Sequence, residues 1–157
     1  MSSVVEYATA MLVYEEGFRE DVYLCSEGYP TVGYGLKLGY KDQSLEEYRE
    51  FPKVPKSIAS LWLSELLDEL LSDLKRNNEL SQLLELDDVR MAVVLSMCYQ
   101  LGVSGFSKFR KTIQYLKDGE YDKASEEMCD SLWYRQTTNR ATRHSNMIKS
   151  GVLSQEY

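Results

Sequence analysis

The sequence predicts an α+β fold: one helix and a small antiparallel β-sheet lobe, then a mainly α-helical lobe, the two joined by a long connector helix. Three observations carry this. Apolar residues recur at helical spacing near the N-terminus and again through most of the chain after residue 56. Between Phe18 and Tyr40 the pattern changes to β-formers punctuated by glycines. The chain's 157 residues suffice for one compact domain and fall short of two ordinary ones. A single domain over residues 1–157 is therefore expected, with the first helix and β lobe over 1–56, the connector over 57–76 and the helical lobe over 77–157.

In order along the chain, Val4, Val5, Ala8, Met11 and Leu12 give an amphipathic helix from Ser3 to Glu16, and Gly17 stops it by taking the left-handed C′ conformation. Val22, Tyr23, Tyr29, Thr31, Val32 and Tyr34, interrupted by Gly28, Gly33, Gly35 and Gly39, read as short antiparallel hairpins, with Pro30 at an edge or a strand start. Residues 41–56 form a charged loop. Ser57 is the expected N-cap of the connector, whose stripe of Ile58, Trp62, Leu66, Leu70 and Leu74 is widened by Leu61, Leu63, Leu67 and Leu71, so that it is buried on more than one side. Asp87 or Asp88 caps a helix from Val89 to Leu101, closed by Gly102. Helices over Ser107–Leu116, Tyr121–Tyr134 and Asn139–Lys149 complete the lobe.

Composition excludes several function classes. A hydrophobic share of 43% beside 27% charged residues supports a core and rules out a disordered tail. No apolar run approaches the ~18 residues of a membrane span, and Met1-Ser2-Ser3-Val4-Val5-Glu6 lacks the basic start of a secretory signal. A net charge of −7 is the wrong sign for a nucleic-acid binder. Cys25, Cys98 and Cys129 include no close pair, and His144 is the single histidine, so neither a zinc site nor a disulfide framework is expected. Cys98 lies at core spacing from Val94, Leu95 and Leu101, and Cys129 reads as a packing residue too. Cys25 differs, because it sits in a polar, turn-rich stretch.

The chemistry concentrates around that turn. Glu15 and Glu16 end the first helix, where the negative end of the macrodipole mildly disfavours carboxylates. The chain runs Glu16-Gly17-Phe18-Arg19, then Val22-Tyr23-Leu24-Cys25-Ser26-Glu27-Gly28-Tyr29-Pro30-Thr31-Val32-Gly33-Tyr34-Gly35. Eight residues separate Glu16 from Cys25 and five separate Cys25 from Thr31. This resembles the phage-type lysozymes of glycoside hydrolase family 24, the family of the T-even phage lysozyme, whose signature is Glu, eight residues, Asp or Cys, five residues, Thr. A second match is Asp88-Val89-Arg90, Tyr99-Gln100-Leu101-Gly102 and Gly105-Phe106; a third is Trp133-Tyr134-Arg135-Gln136-Thr137-Thr138-Asn139-Arg140-Ala141-Thr142-Arg143. The three lie in the family's order and take in nearly the whole chain.

The resemblance implies a lysozyme-like fold and a peptidoglycan muramidase cutting the β-1,4 bond between N-acetylmuramic acid and N-acetylglucosamine. Such hydrolysis needs a proton for the leaving oxygen and a group on the other face to hold water. Glu16 is then the acid, whose retained proton burial favours and a neighbouring arginine, matched by Arg140, opposes. Cys25 stands where better-known members carry Asp, and three roles are open to it: a thiolate opposing positive charge at the anomeric carbon, a nucleophile, or a spectator beside water. Thr31 would hydrogen-bond that water. Tyr99, Gln100 and Phe109 fall along the substrate cleft. Leu36 replaces a histidine common after Gly35.

No cofactor is implied. The implied partner is bacterial peptidoglycan, with no nucleic acid and no membrane insertion, and the protein is expected to be a monomer. As a bacteriophage endolysin it would be made in the host cytoplasm without a signal peptide and reach the periplasmic wall through a separate membrane-permeabilising partner. Ser131 to Gln155 carries Arg135, Arg140, Arg143 and Lys149 and no acid. Those cations either attract carboxylates of the wall's stem peptides or pair with Glu15, Glu16 and their neighbours. Two rival functions remain: a non-catalytic glycan-binding or inhibitory module, and a lytic transglycosylase, which needs the acid but no partner for water.

Overall fold

The computed structural model describes residues 2–157. It is an α+β, lysozyme-like arrangement in which α1 (Ser3–Glu16) precedes strands β1 (Arg19–Leu24), β2 (Pro30–Gly33) and β3 (Leu36–Lys37). The helices α2 (Lys56–Arg76), α3 (Asp88–Ser107), α4 (Arg110–Lys117), α5 (Tyr121–Cys129), α6 (Leu132–Gln136) and α7 (Thr138–Ser150) follow. Short 3₁₀ turns at Leu45–Tyr48 and Ser81–Glu85 interrupt the connections. Two compact units form, one from residues 12–66 and one from residues 2–11 and 67–157, and both α1 and α2 contribute residues to each.

The first unit is organised by its three-stranded antiparallel sheet, in the order β1-β2-β3. Strand β2 is buried along its length, and Val32, Tyr34, Val54, Ala59 and Leu63 make the core beside it. Gly33 permits this packing. A Cβ there would stand 3.1 Å from Ala59 Cβ, so β2 lies almost against the α2 backbone. The α2 face that meets the core is Ala59 and Leu63, whereas Ile58 and Leu61 are exposed. The predicted stripe through Ile58 is thus displaced by one residue, because only the small side chain of Ala59 admits the sheet. The N-cap also moves: the Pro55 carbonyl accepts the first helical bonds, from Ile58 at 3.0 Å and Ala59 at 3.0 Å, and Ser57 lies inside the helix.

In the second unit α3 is the central helix, buried without a break from Met91 to Cys98. By length and composition it meets the requirements of a membrane span, contrary to the expectation from the sequence, although half of its most apolar window is packed inside the protein. Asp87 caps it by accepting from the Arg90 amide at 3.1 Å. Gly102 breaks its geometry at φ 77, where the sequence predicts a stop, and a further helical turn then follows. α4 begins at Arg110 rather than Ser107, and the predicted helix over Tyr121–Tyr134 divides at Asp130 and Ser131. Ser131 explains the division, since its hydroxyl caps α6 by accepting from the Tyr134 amide at 3.1 Å. α5 packs on α4 and α7, and α3 and α6 pack on α7. Arg90 ties these together: it lies 3.6 Å from the Tyr121 ring centroid and donates to the carbonyls of Ile148 and Lys149 at the end of α7. Cys98 is buried as expected; Cys129 is exposed, with its thiol 3.4 Å from Ser145 Oγ.

Candidate active site

The candidate catalytic residues Glu16, Cys25 and Thr31 all belong to the unit of residues 12–66. Glu16 is the last residue of α1, and Gly17 turns the chain at φ 66, with its amide bonded to the Val13 carbonyl. The half-buried carboxyl group of Glu16 then lies over the turn between β2 and β3. Its Oε2 occupies space 2.7 Å from where a Cβ of Gly35 would be.

Cys25 follows β1 in a three-residue hairpin loop. Its amide donates to the Tyr29 carbonyl at 2.9 Å, its carbonyl accepts from the Gly28 amide at 2.9 Å, and Gly28 closes the loop at φ 86. A type I turn ended by a left-handed residue is the usual three-residue hairpin, and glycine meets its stereochemistry. Across the sheet, Tyr23 pairs with Thr31 and Thr31 with Lys37. Side chains alternate between faces, so this row and the neighbouring Cys25 and Tyr29 project to the same side. Thr31 is 2% exposed, and its hydroxyl donates to the Tyr29 carbonyl at 2.8 Å. Its oxygen lone pairs remain able to accept, which is what an attacking water needs from it.

Partial burial pushes the Cys25 thiol up, but it is outweighed by hydrogen bonding from the backbone at Tyr29 and Glu27, by the Thr31 hydroxyl and by the Lys37 charge. The net result is a thiol below its ordinary value, and hence a more available thiolate. Tyr23 reports on the same field. Burial and the charges of Glu16 and Cys25 push its phenol up, against the pull of Arg19. Arg19 lies 4.4 Å from the Tyr23 ring centroid. The face thus carries a thiol, a hydroxyl and two aromatic rings, with ammonium and guanidinium groups at its edges and the Glu16 carboxyl group near enough for its charge to act on Tyr23.

The remaining predicted residues sit in the other unit. Gln100, in the last part of α3, accepts from Trp133 Nε1 at 2.9 Å. The Phe109 ring meets Trp133 edge-on, with centroids 5.9 Å apart, and stacks on Phe106 at 6.3 Å. Phe109 also lines an open cavity of about 440 Å³ with Lys108, Arg110, Thr112 and Glu127. Tyr99, beside Gln100 on α3, is half-buried. Arg140 is 8% exposed and donates to Ser96 Oγ at 3.2 Å, so it is an interior residue of this unit rather than a surface cation. Arg143 pairs with Glu156 at 3.2 Å. Among the described residues no cluster of three His, Cys, Asp or Glu side chains could hold a metal ion.

Sequence reasoning missed Tyr23, Lys37 and Trp133. Tyr23 and Cys25 share a period of two that was legible, whereas Lys37 joins the site only through its register with Thr31.

A small sheet and hairpin presenting Cys25 and Thr31, with Glu16 at the end of the helix before them and a helical unit after, defines a lysozyme-like protein. The profile described as Phage lysozyme matches residues 13–145, and the chain belongs to that family. It is 32% identical over 158 residues to the pre-baseplate central spike protein Gp5 of Enterobacteria phage T4, covering 91% of this chain and 28% of the length of Gp5. It is 28% identical over 160 residues to probable T4-type lysozyme 1 of Dictyostelium discoideum, covering 92% of this chain and 94% of that one. Probable T4-type lysozyme 2 of the same organism is 24% identical over 161 residues. The family and the T4-type lysozyme relatives support a glycosidase with a muramidase-like function.

Proposed function

We propose that this protein hydrolyses the β-1,4 bond between N-acetylmuramic acid and N-acetylglucosamine in bacterial peptidoglycan and serves host lysis as a bacteriophage endolysin. In that role it is a monomer made in the host cytoplasm and admitted to the wall by a separate membrane-permeabilising partner. The observation that carries the chemistry is the single sheet face holding Cys25 and Thr31, in the same unit as the Glu16 carboxyl group seated over Gly35.

Glu16 gives its proton to the leaving oxygen as the glycosidic bond breaks. The water that adds to the anomeric carbon hydrogen-bonds to the Thr31 hydroxyl oxygen and to the Cys25 thiolate, which takes the water's proton as the new C–O bond forms. The thiol then returns that proton through solvent, and Glu16 is reprotonated. The Cys25 thiolate opposes the positive charge that develops at the anomeric carbon, the task of a carboxylate in an Asp-bearing site. In this reading Tyr99, Gln100 and Phe109 are the residues of the helical unit that bind the glycan.

Mass spectrometry of digested sacculi tests this. Hydrolysis leaves reducing muramic acid ends. Anhydromuramic ends would assign a lytic transglycosylase instead, and uncut strands a glycan-binding module. The identity with Gp5 favours a second use of the same reaction, wall cleavage by an assembled phage particle. Immunoblots of purified particles and cleared lysate separate the two uses.

A further inference from the structure

The sheet places a second charged residue at the cysteine that the proposed reaction does not use. Lys37 pairs across β2 with Thr31, whose other neighbour in the row is Tyr23. Its ammonium group is held from two sides. Glu27 Oε2 lies 3.1 Å away, and the Tyr29 ring centroid is 4.5 Å away. Both anchors flank Cys25: Glu27 is inside the hairpin loop, and Tyr29 is the residue whose carbonyl accepts from the Cys25 amide. The loop thus fixes a cation beside its own thiol.

We infer that Lys37 is a positioning residue that holds Cys25 as a thiolate on the catalytic face. The inference rests on the proposed role of Cys25 and adds to it the source of the stabilising charge. A thiol can replace a carboxylate electrostatically only when ionised, and a nearby fixed cation favours the ionised form. The charges facing the sulfur give the sign. Lys37 favours the thiolate, as do the backbone at Tyr29 and Glu27 and the Thr31 hydroxyl, while burial opposes it. The Glu27 carboxylate, 3.1 Å from the ammonium, offsets part of the Lys37 charge, and Glu16 and Tyr23 are the other titratable groups whose charges meet in this region. Backbone hydrogen bonds remain when Lys37 is changed, so its removal weakens the thiolate without abolishing it.

The experiment follows alkylation of Cys25 by iodoacetamide against pH, read by peptide mass spectrometry so that Cys129 is scored separately. Lys37→Gln should move the midpoint of the Cys25 profile to higher pH and slow alkylation about twofold or more below that midpoint, since the lost thiolate fraction outweighs the gain in nucleophilicity. Lys37→Arg should restore the native midpoint. The rising limb of the muramidase pH profile should move with the thiol in Lys37→Gln and return in Lys37→Arg. Identical alkylation profiles for native protein and Lys37→Gln would overturn the inference and leave the role of Cys25 standing. Full activity in Cys25→Ala would overturn that role, and the inference with it. Thermal melts check that Lys37→Gln is folded; if it is not, Lys37→Met carries the same comparison.

Discussion

The Glu16 carboxyl group fills the space that a side chain at Gly35 would need: a Cβ there would stand 2.7 Å from Oε2 and 3.0 Å from Cδ. The absence of an atom at Gly35 is thus one of the things that position the acid. Gly35 also holds φ at 74, where other residues are strained.

Gly35→Ala should accordingly do two things at once. The methyl group displaces the carboxyl group by about an ångström, enough to slow cleavage about a hundredfold, and the left-handed backbone costs about 1–2 kcal/mol. Cleavage rates and urea midpoints measure the two effects separately. A native rate in this variant would show that Glu16 is not held by the glycine.

Glu16→Gln should remove nearly all muramidase activity and leave the melting temperature unchanged or higher, because catalytic carboxyl groups are often kept at a cost in stability. The check is clearance of a peptidoglycan suspension beside a thermal melt. A variant working at a tenth of the native rate or better, about 1.4 kcal/mol of barrier or less, would remove Glu16 from the role of sole acid.

For Cys25 the expected pattern has three parts. Cys25→Asp keeps substantial activity, Cys25→Ala loses most of it, and bound oligosaccharide protects the native thiol from alkylation. Rates for both variants decide the matter, since an adduct could block the site by bulk alone.

His144 gives the protein an acid limit unconnected with catalysis. Its ring is wholly buried, with Nε2 2.8 Å from Ser96 Oγ and Nδ1 3.2 Å from the Tyr157 hydroxyl. Burial, and then the charges of Arg140 and Arg143, push the imidazole well below the ordinary histidine range. The unfolded chain therefore binds a proton that the native state refuses. Stability contributed in this way is complete above about pH 6.5 and is lost progressively as the pH falls below it. Urea midpoints at neutral and mildly acid pH should converge more closely in His144→Gln than in the native protein; equal pH dependence in both would refute this.

Residues whose neighbours in sequence decide their structure were the legible ones. The Ser3–Glu16 helix and its Gly17 stop follow from period and stereochemistry, as do the hairpin around Gly28 and the break at Gly102. The spacing of Glu16, Cys25 and Thr31 was also plain, because one β-turn and one strand separate them. What tertiary packing decides was not legible. Ala59, rather than Ile58, faces the core because Gly33 brings a strand against it. Arg140 is buried and donates to Ser96, far from it in sequence on the neighbouring α3. Lys37 joins the cysteine through strand register, which its residue type does not announce.

The three thiols differ in a way that makes the protein its own ruler. Burial pushes Cys98 up to about 12, so reagents at neutral pH leave it untouched. Cys25 and Cys129 remain, one in each compact unit. Two spectroscopic labels can thus be placed without introducing a single cysteine, the more exposed Cys129 accepting one and the half-buried Cys25 the other. Because a label on Cys25 occupies the proposed catalytic face, their separation is best followed without glycan through a urea titration, where it measures directly whether the two units unfold together or one before the other.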